Sequence, residues 1–152
     1  MTGVAIGGIG VGSGGGFRGI GVGGIGVGSG GDATGLMVGG VGVGAGGTLT
    51  GLSIGGVGVG APILRGVALS AIGVGAKNAH AIVLTGAYFK IENDGRFDGG
   101  SLAAVNNIQG AQHGLVLGLI NYARELHGAQ VGLINISDND GSRRVLPILS
   151  IR

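Results

Sequence analysis

The sequence predicts an all-β fold, a two-sided parallel β-solenoid of about nine coils with 14–18 residues each. Three observations predict this fold. A ten-residue unit recurs along the chain, apolar residues alternate with period two inside each unit, and a pair of glycines interrupts the alternation. Alternation with period two is typical of half-buried strands. Self-similarity at a fixed period is typical of repeat architectures.

The repeated unit has the pattern Gly-Φ-x-Φ-Gly-Gly-Φ-Gly-Val-Gly, in which Φ is an aliphatic residue, and a turn follows each unit. The first four units start sixteen residues apart, and the copies at 19–28 and 51–60 are nearly identical. Nine units begin at Gly3, Gly19, Gly35, Gly51, Gly66, Ala81, Gly99, Gly114 and Gly128. A degenerate last unit runs from Val145 to Arg152.

The Gly-Gly pair of each unit predicts a corner between two short strands. In a straight strand, a slip of one residue in the alternation would turn the second apolar pair to the opposite face. Glycine adopts positive φ at low cost, so a bend at this pair would keep both apolar pairs inside. We therefore expect four inward ladders: Val4, Ile20, Leu36, Leu52, Val67 and Ile82; Ile6, Val22, Val38, Ile54, Leu69 and Leu84; Ile9, Ile25, Val41, Val57 and Ile72; and Val11, Val27, Val43, Val59 and Val74.

The composition excludes several classes of protein. Of 152 residues, 41 are Gly, against an average usage of about 7%. Abundant Val, Ile and Leu with only 11% charged residues argue against disorder, and Gly lacks the three-residue period of collagen. The chain contains no Cys and no run of about 20 apolar residues, so neither a disulfide scaffold nor a transmembrane helix is expected.

We expect a single domain over residues 1–152 with two compositional halves. Residues 1–80 form regular glycine-rich coils and hold 31 of the 41 glycines but only 4 of the 16 charged residues, whereas residues 81–152 form irregular coils. The segment 88–98 breaks the period, and Asp94-Gly95 within it is a strong turn signal.

The irregular segment 88–98 therefore predicts a loop or hairpin that leaves the rod. Aromatic and arginine side chains on a projection suit contact with a partner. The residues expected in that contact are Tyr88, Phe89, Arg96 and Phe97. The alternative interpretation is a tolerated insertion without a binding role.

An asparagine replaces glycine at the eighth position of the later units, at Asn106, Asn121 and Asn135. Amide side chains stacked along parallel strands form hydrogen-bonded ladders. Asn also tolerates the left-handed backbone conformation that Gly occupies. Both readings give these residues a structural role.

Metal sites and catalysis find little support in the sequence. His113 and His127 precede successive units and would lie about 5 Å apart, while Asp138 and Asp140 resemble half of an EF-hand loop without its final Glu. Turn formation explains all four residues, so we assign no metal and no cofactor. We expect no enzymatic activity, because no nucleophile elbow or spaced pair of carboxylates is present. The Gly-x-Gly-x-x-Gly patterns lack the helix that nucleotide binding requires.

The later repeats resemble a known family. The segments Gly-Leu-Ile-Asn-Tyr-Ala at 118–123 and Gly-Leu-Ile-Asn-Ile-Ser at 132–137, with the ending Val145-Leu146-Pro147-Ile148-Leu149, are similar to glycine-rich bacterial surface-exposed repeat proteins. This resemblance implies a solenoid at the outer surface of the cell or outside it, without an assigned activity. No signal peptide is visible at Met1-Thr2-Gly3-Val4.

The leading functional hypothesis is a structural or cell-surface repeat protein that self-associates as a homo-oligomer. Association would use the solenoid ends or flat faces that lack side chains, at Gly10, Gly26, Gly42, Gly58 and Gly73. The first alternative is a surface adhesin that binds a cell-surface partner through the charged loops after residue 85. A further alternative is a transmembrane β-barrel with one strand per repeat, which the phase slip and the scarcity of aromatics oppose. The net charge of +2 does not favour nucleic acid, and a small-molecule ligand is not expected.

Overall fold

The computed structural model describes residues 1–152, and the chain is a parallel β-solenoid of about eight turns. Strands hold 82% of the residues, and there is no helix. The thirteen strands are β1 (Thr2–Gly7), β2 (Gly10–Ser13), β3 (Phe17–Gly23), β4 (Gly26–Ser29), β5 (Ala33–Gly39), β6 (Gly42–Ala45), β7 (Thr48–Gly55), β8 (Gly58–Ser70), β9 (Gly73–Thr85), β10 (Tyr88–Leu102), β11 (Val105–Leu117), β12 (Ile120–Asn139) and β13 (Ser142–Ile151). No helix suited to crossing a membrane is found.

Equivalent positions of successive units pair side by side, and the predicted fold class is confirmed. The main ladder runs β1-β3-β5-β7-β8-β9-β10-β11-β12 with parallel pairing, and a second parallel ladder joins β2, β4, β6 and β8. Gly3 lies beside Gly19, and Gly19 lies beside Gly35. Each coil is therefore joined to the next by parallel pairing.

Two kinds of glycine bend each regular coil. The first glycine of the unit has positive φ, as at Gly19 with 130°. A Cβ there would overlap the carbonyl oxygen of Gly3, so no other residue fits the ladder at this bend. The predicted corner follows at the Gly-Gly pair, where a Cβ on Gly24 would overlap the carbonyl oxygen of Gly8.

The interior differs from the predicted one in three of its four ladders. The valine ladder is inside as expected, with Val27, Val43, Val59 and Val74 at most 5% exposed. The other three predicted ladders face outward. Instead, the residue at the third position of each unit points into the rod. These residues form the column Ala5, Gly21, Met37, Ser53, Ala68, Val83, Ser101, Val116 and Gln130.

A second inward column lies two residues before each unit and was missed by the sequence analysis. It consists of Phe17, Ala33, Leu49, Leu64, Ala79, Phe97, Gln112 and Leu126. The interior is narrow: a Cβ on Gly21 would lie 3.3 Å from the Phe17 ring and 3.0 Å from Val27. Large aliphatic residues at the second and fourth unit positions do not fit inside together with these side chains.

The expected projection at 88–98 is wrong in its extent. Strand β10 stays in register with both neighbours, except for a shift between Ile91 and Arg96. The excursion is therefore confined to residues 92–95, where Asp94 has a φ of 59°. The reason is packing, because Phe89 and Phe97 are fully buried and meet edge to face with ring centroids 5.1 Å apart.

The expected last unit at Val145–Arg152 is also wrong, because β13 reverses direction and pairs antiparallel with β12. The strands are joined by a tight turn at Asp140 and Gly141, both with positive φ. The pairing register shifts opposite Pro147, as expected of a residue that cannot donate to a ladder. Strand β13 therefore covers the edge of β12 instead of adding another coil.

Candidate functional site

The most extensive surface feature is a flat apolar face on the main ladder, which we call the aliphatic face. It consists of the outward residues at the second and fourth positions of each unit. They are Val4, Ile6, Ile20, Val22, Leu36, Val38, Leu52, Ile54, Val67, Leu69, Ile82, Leu84, Gly100, Leu102, Leu115, Leu117, Ala129 and Val131. None of them is polar, and Ile82 is 54% exposed.

One edge of the aliphatic face is also apolar. The corner ladder consists of Ile9, Ile25, Val41, Val57 and Ile72 at the seventh unit position, together with Leu119, which the strand register places at the same corner in a later coil; all six are 45–77% exposed. Between it and the aliphatic face lies a groove of about 490 Å³ beside Leu69 and Leu84, with a second hollow of about 520 Å³ that shares Leu102 with it. The apolar surface therefore continues around the corner of the rod.

The opposite edge of the aliphatic face is polar. Residues immediately before each unit form the polar row, which is Thr2, Arg18, Thr34, Thr50, Arg65, His80, Asp98, His113 and His127. The Asp98 carboxylate lies 2.8 Å from Arg96 Nε and 3.0 Å from His80 Nδ1. Its other oxygen is 3.6 Å from His113 Nδ1, too far for a hydrogen bond.

A second outward surface, the glycine face, has no side chains. The predicted glycines Gly10, Gly26, Gly42, Gly58 and Gly73 lie there, and a parallel column of Gly12, Gly28, Gly44, Gly60 and Gly75 widens it. A Cβ built on Gly12, Gly28 or Gly75 would meet no atom within 4 Å. The fold itself therefore does not require glycine at these three positions.

The three predicted asparagines lie inside the rod and are joined by hydrogen bonds. Asn106 Nδ2 donates to Asn121 Oδ1, and Asn121 Nδ2 donates to Asn135 Oδ1, each at 2.8 Å. Their column continues Val74 and Phe89, so they replace the inward valine of the unit and not the glycine of its eighth position. This assignment corrects the expected alignment of the later units, which carry one residue fewer before the asparagine.

The metal candidates fall in two separate places. The rings of His113 and His127 are stacked with centroids 4.9 Å apart, close to the expected spacing. Asp138 and Asp140 flank the hairpin between β12 and β13, where the Asn139 side chain bonds both backbone groups of Leu126. No group of three or more His, Asp or Glu residues is arranged to hold a metal ion.

The predicted contact residues on β10 are divided between surface and core. Tyr88 and Arg96 are exposed, and the Tyr88 hydroxyl accepts a hydrogen bond from Asn107 Nδ2 at 2.8 Å. Phe89 and Phe97 are fully buried, so their expected role in partner contact is wrong.

Sequence reasoning missed the aliphatic face because it assigned every periodic apolar position to the interior. A signal was available in the apolar residue two positions before several units, such as Phe17, Leu49 and Leu64. Those residues already fill the inside of a narrow rod. Comparison of the chain with protein-family models, curated proteins and solved structures gives no match.

Proposed function

We propose that this protein is a structural repeat protein whose rods associate side by side through the aliphatic face. The observation that supports the proposal is the outward aliphatic residues, half-buried or exposed, that follow one another from coil to coil on the outside of a rod whose interior is already filled. Apolar area exposed to water is costly by about 25 cal/mol per Å². A second rod that covers this face removes that cost along the length of the molecule.

The size of the face suits an interface between proteins. Nine coils at about 4.8 Å per coil give a length of roughly 40 Å. The two columns of the face lie about 7 Å apart, so with the reach of the side chains the face covers several hundred Å², the scale of the largest apolar patch of a typical monomer. Standard interfaces bury about 800 Å² on each partner, so the corner ladder would have to contribute as well.

Sedimentation velocity over a concentration series tests the proposal. We expect the wild-type chain to sediment as a dimer or larger species. The double variant Ile82→Lys with Leu84→Lys places two charges in the middle of the face, at positions 54% and 41% exposed in the rod. It should sediment as a monomer, because burying unpaired charges costs far more than the contacts return.

A matched control carries the same added charge elsewhere. The single variant Glu92→Lys also raises the net charge by 2, on the exposed excursion of β10, and should leave the oligomeric state unchanged. Circular dichroism should show the same strand content for both variants. A wild-type chain that stays monomeric at millimolar concentration contradicts the proposal.

A second candidate function is binding of a cell-surface partner through the charged excursion at 92–95. The observation that favours this candidate is the exposure of Glu92 and Asp94 on the excursion. Asp94 Oδ1 lies 2.7 Å from Arg124 Nη1. Replacement of residues 92–95 by Gly-Ser-Gly-Ser should abolish adhesion to cells in this case and leave sedimentation unchanged. Adhesion that survives the replacement removes this candidate.

A further inference from the structure

We infer that the aliphatic face is covered by a second copy of this chain whose rod axis runs antiparallel, related by a twofold axis along the strand direction. The inference rests on the proposed function and specifies its geometry. It is carried by the contrast between the two edges of the face, one lined by the polar row and the other by the corner ladder. Such a pair is closed, so it does not grow into a filament.

Only two twofold axes bring the same face of two rods together. An axis along the rods reverses the strand direction and sets the polar row of one copy against the corner ladder of the other. Arg65 and Asp98 would then lose water to apolar neighbours, which is costly for charged groups. An axis along the strands sets polar row against polar row and corner ladder against corner ladder, so that like surfaces meet.

We place the axis at the coil of His80, where charges of the polar row are complementary. Arg65 and Asp98 lie in the polar row with His80 between them, so they are two coils apart. An axis at the coil of His80 sets Arg65 of one copy opposite Asp98 of the other, and symmetry forms this pair twice. An axis at the coil of Arg65 would instead oppose two arginines. The favoured position overlaps coils three to nine, about 34 Å of each rod.

Disulfide crosslinking tests the arrangement, because the chain contains no Cys. Ile82 lies in the aliphatic face at the axis, so Ile82→Cys should crosslink to its own copy on mild oxidation. Ile20 lies in the same column four coils away, so Ile20→Cys should crosslink at least tenfold more slowly. Leu52→Cys mixed with Leu115→Cys should give a mixed dimer, since these two coils oppose each other.

Three other outcomes would contradict the antiparallel arrangement or the proposed function. Equal crosslinking of Ile20→Cys and Ile82→Cys overturns the antiparallel arrangement and favours parallel rods. A dimer in sedimentation that crosslinks through Gly12→Cys, on the glycine face, places the partner on the wrong surface for this inference. A wild-type monomer in sedimentation removes the proposed function itself, so the two failures are distinguishable.

A charge swap gives an independent reading of the axis position. Arg65→Asp should weaken the dimer by about fivefold, as expected for exposed ion pairs formed twice. Combining it with Asp98→Arg should restore the wild-type dissociation constant. Weakening that the second substitution does not reverse overturns the placement of the axis at the His80 coil.

Discussion

Glycine has two separate roles in this chain, and the backbone distinguishes them. At Gly19, and likewise at Gly35 and Gly51, positive φ and the adjacent carbonyl oxygen exclude a side chain. At Gly28 the backbone is not in the left-handed region, and a Cβ would point into open space. Glycine at Gly28 weakens the strand by the loss of more backbone entropy on folding.

This difference predicts opposite effects of two alanine substitutions. Gly28→Ala should raise the free energy of unfolding of the rod by about 0.5–1 kcal/mol, because it restricts the unfolded chain without a clash. Gly19→Ala should lower it by at least about 2 kcal/mol through strain and overlap. Chemical denaturation of both variants measures the effects. Equal destabilisation by the two would show that the outward glycines are required by the fold.

Single elements of the rod use different means to hold their register. The glycine-rich coils have an interior of aliphatic residues, whereas the later coils have buried amides. Besides the asparagine ladder, Gln130 Nε2 donates to Gln112 Oε1 at 2.9 Å. Amide ladders are directional, so a strand that slips by one residue leaves buried donors without acceptors.

Substitution of Asn121, the central residue of the asparagine ladder, should lower the stability of the rod. Asn121→Ala should lower the free energy of unfolding by about 1–3 kcal/mol, because the buried Asn135 Oδ1 loses its donor. Asn106 Nδ2 keeps the carbonyl oxygens of Ala103 and Leu117 as acceptors. Asn107→Ala, which removes only a hydrogen bond at the surface, should cost less than about 1 kcal/mol. Urea denaturation of the two variants makes the comparison, and similar losses would argue against the ladder as a stabilising element.

Substitutions in the buried part of β10 and in its excursion at 92–95 should change the stability of the rod by different amounts. Phe97→Ala should cost about 3–5 kcal/mol, because it empties a fully buried site beside Phe89. Asp94→Ala removes an exposed pair with Arg124 and should cost at most about 1 kcal/mol. Thermal unfolding followed by circular dichroism checks both. A small effect of Phe97→Ala would restore the expectation of a loop or hairpin over 88–98 that leaves the rod.

The fold class could be predicted from the repeat, but the inside and outside of the main ladder could not. Alternation shows that Ile20 and Val22 share a face, yet it does not say which face is buried. The answer depends on the width of the rod, which is set by contacts between coils, such as Phe17 beside Gly21 and Met37. The unit spacing alone places His113 beside His127, and it places the outward glycines from Gly10 to Gly73 in one column.

The whole molecule depends on β13 as a cover for the last coil. Its antiparallel pairing satisfies the edge of β12, and Gln130, Asn135 and Ser137 lie buried there. An uncovered parallel edge with buried amides would offer a template for another strand. The antiparallel strand with its Pro147 interruption opposes such pairing.

Removal of residues 142–152 should therefore promote aggregation. We expect the shortened chain to scatter light at concentrations where the full chain stays clear, because the edge of β12 becomes free. The control is Val145→Ala, at a position 58% exposed, which keeps both the strand and Pro147 and should remain clear. Static light scattering over a concentration series provides the measurement. A shortened chain that stays as clear as the full one would show that β12 does not need its cover.

Because the first four coils repeat every sixteen residues, the contacts between neighbouring coils are nearly the same at each level of the rod. Strands β2 and β4 have the same sequence, and β6 differs from them at one residue. A slip of one whole coil exchanges valine for valine in the interior column and glycine for glycine outside. Only residues that do not recur at the equivalent position of the other coils, such as Phe17 and Met37, distinguish one coil from the next. Those few side chains therefore decide which copy of the repeat occupies which level of the rod.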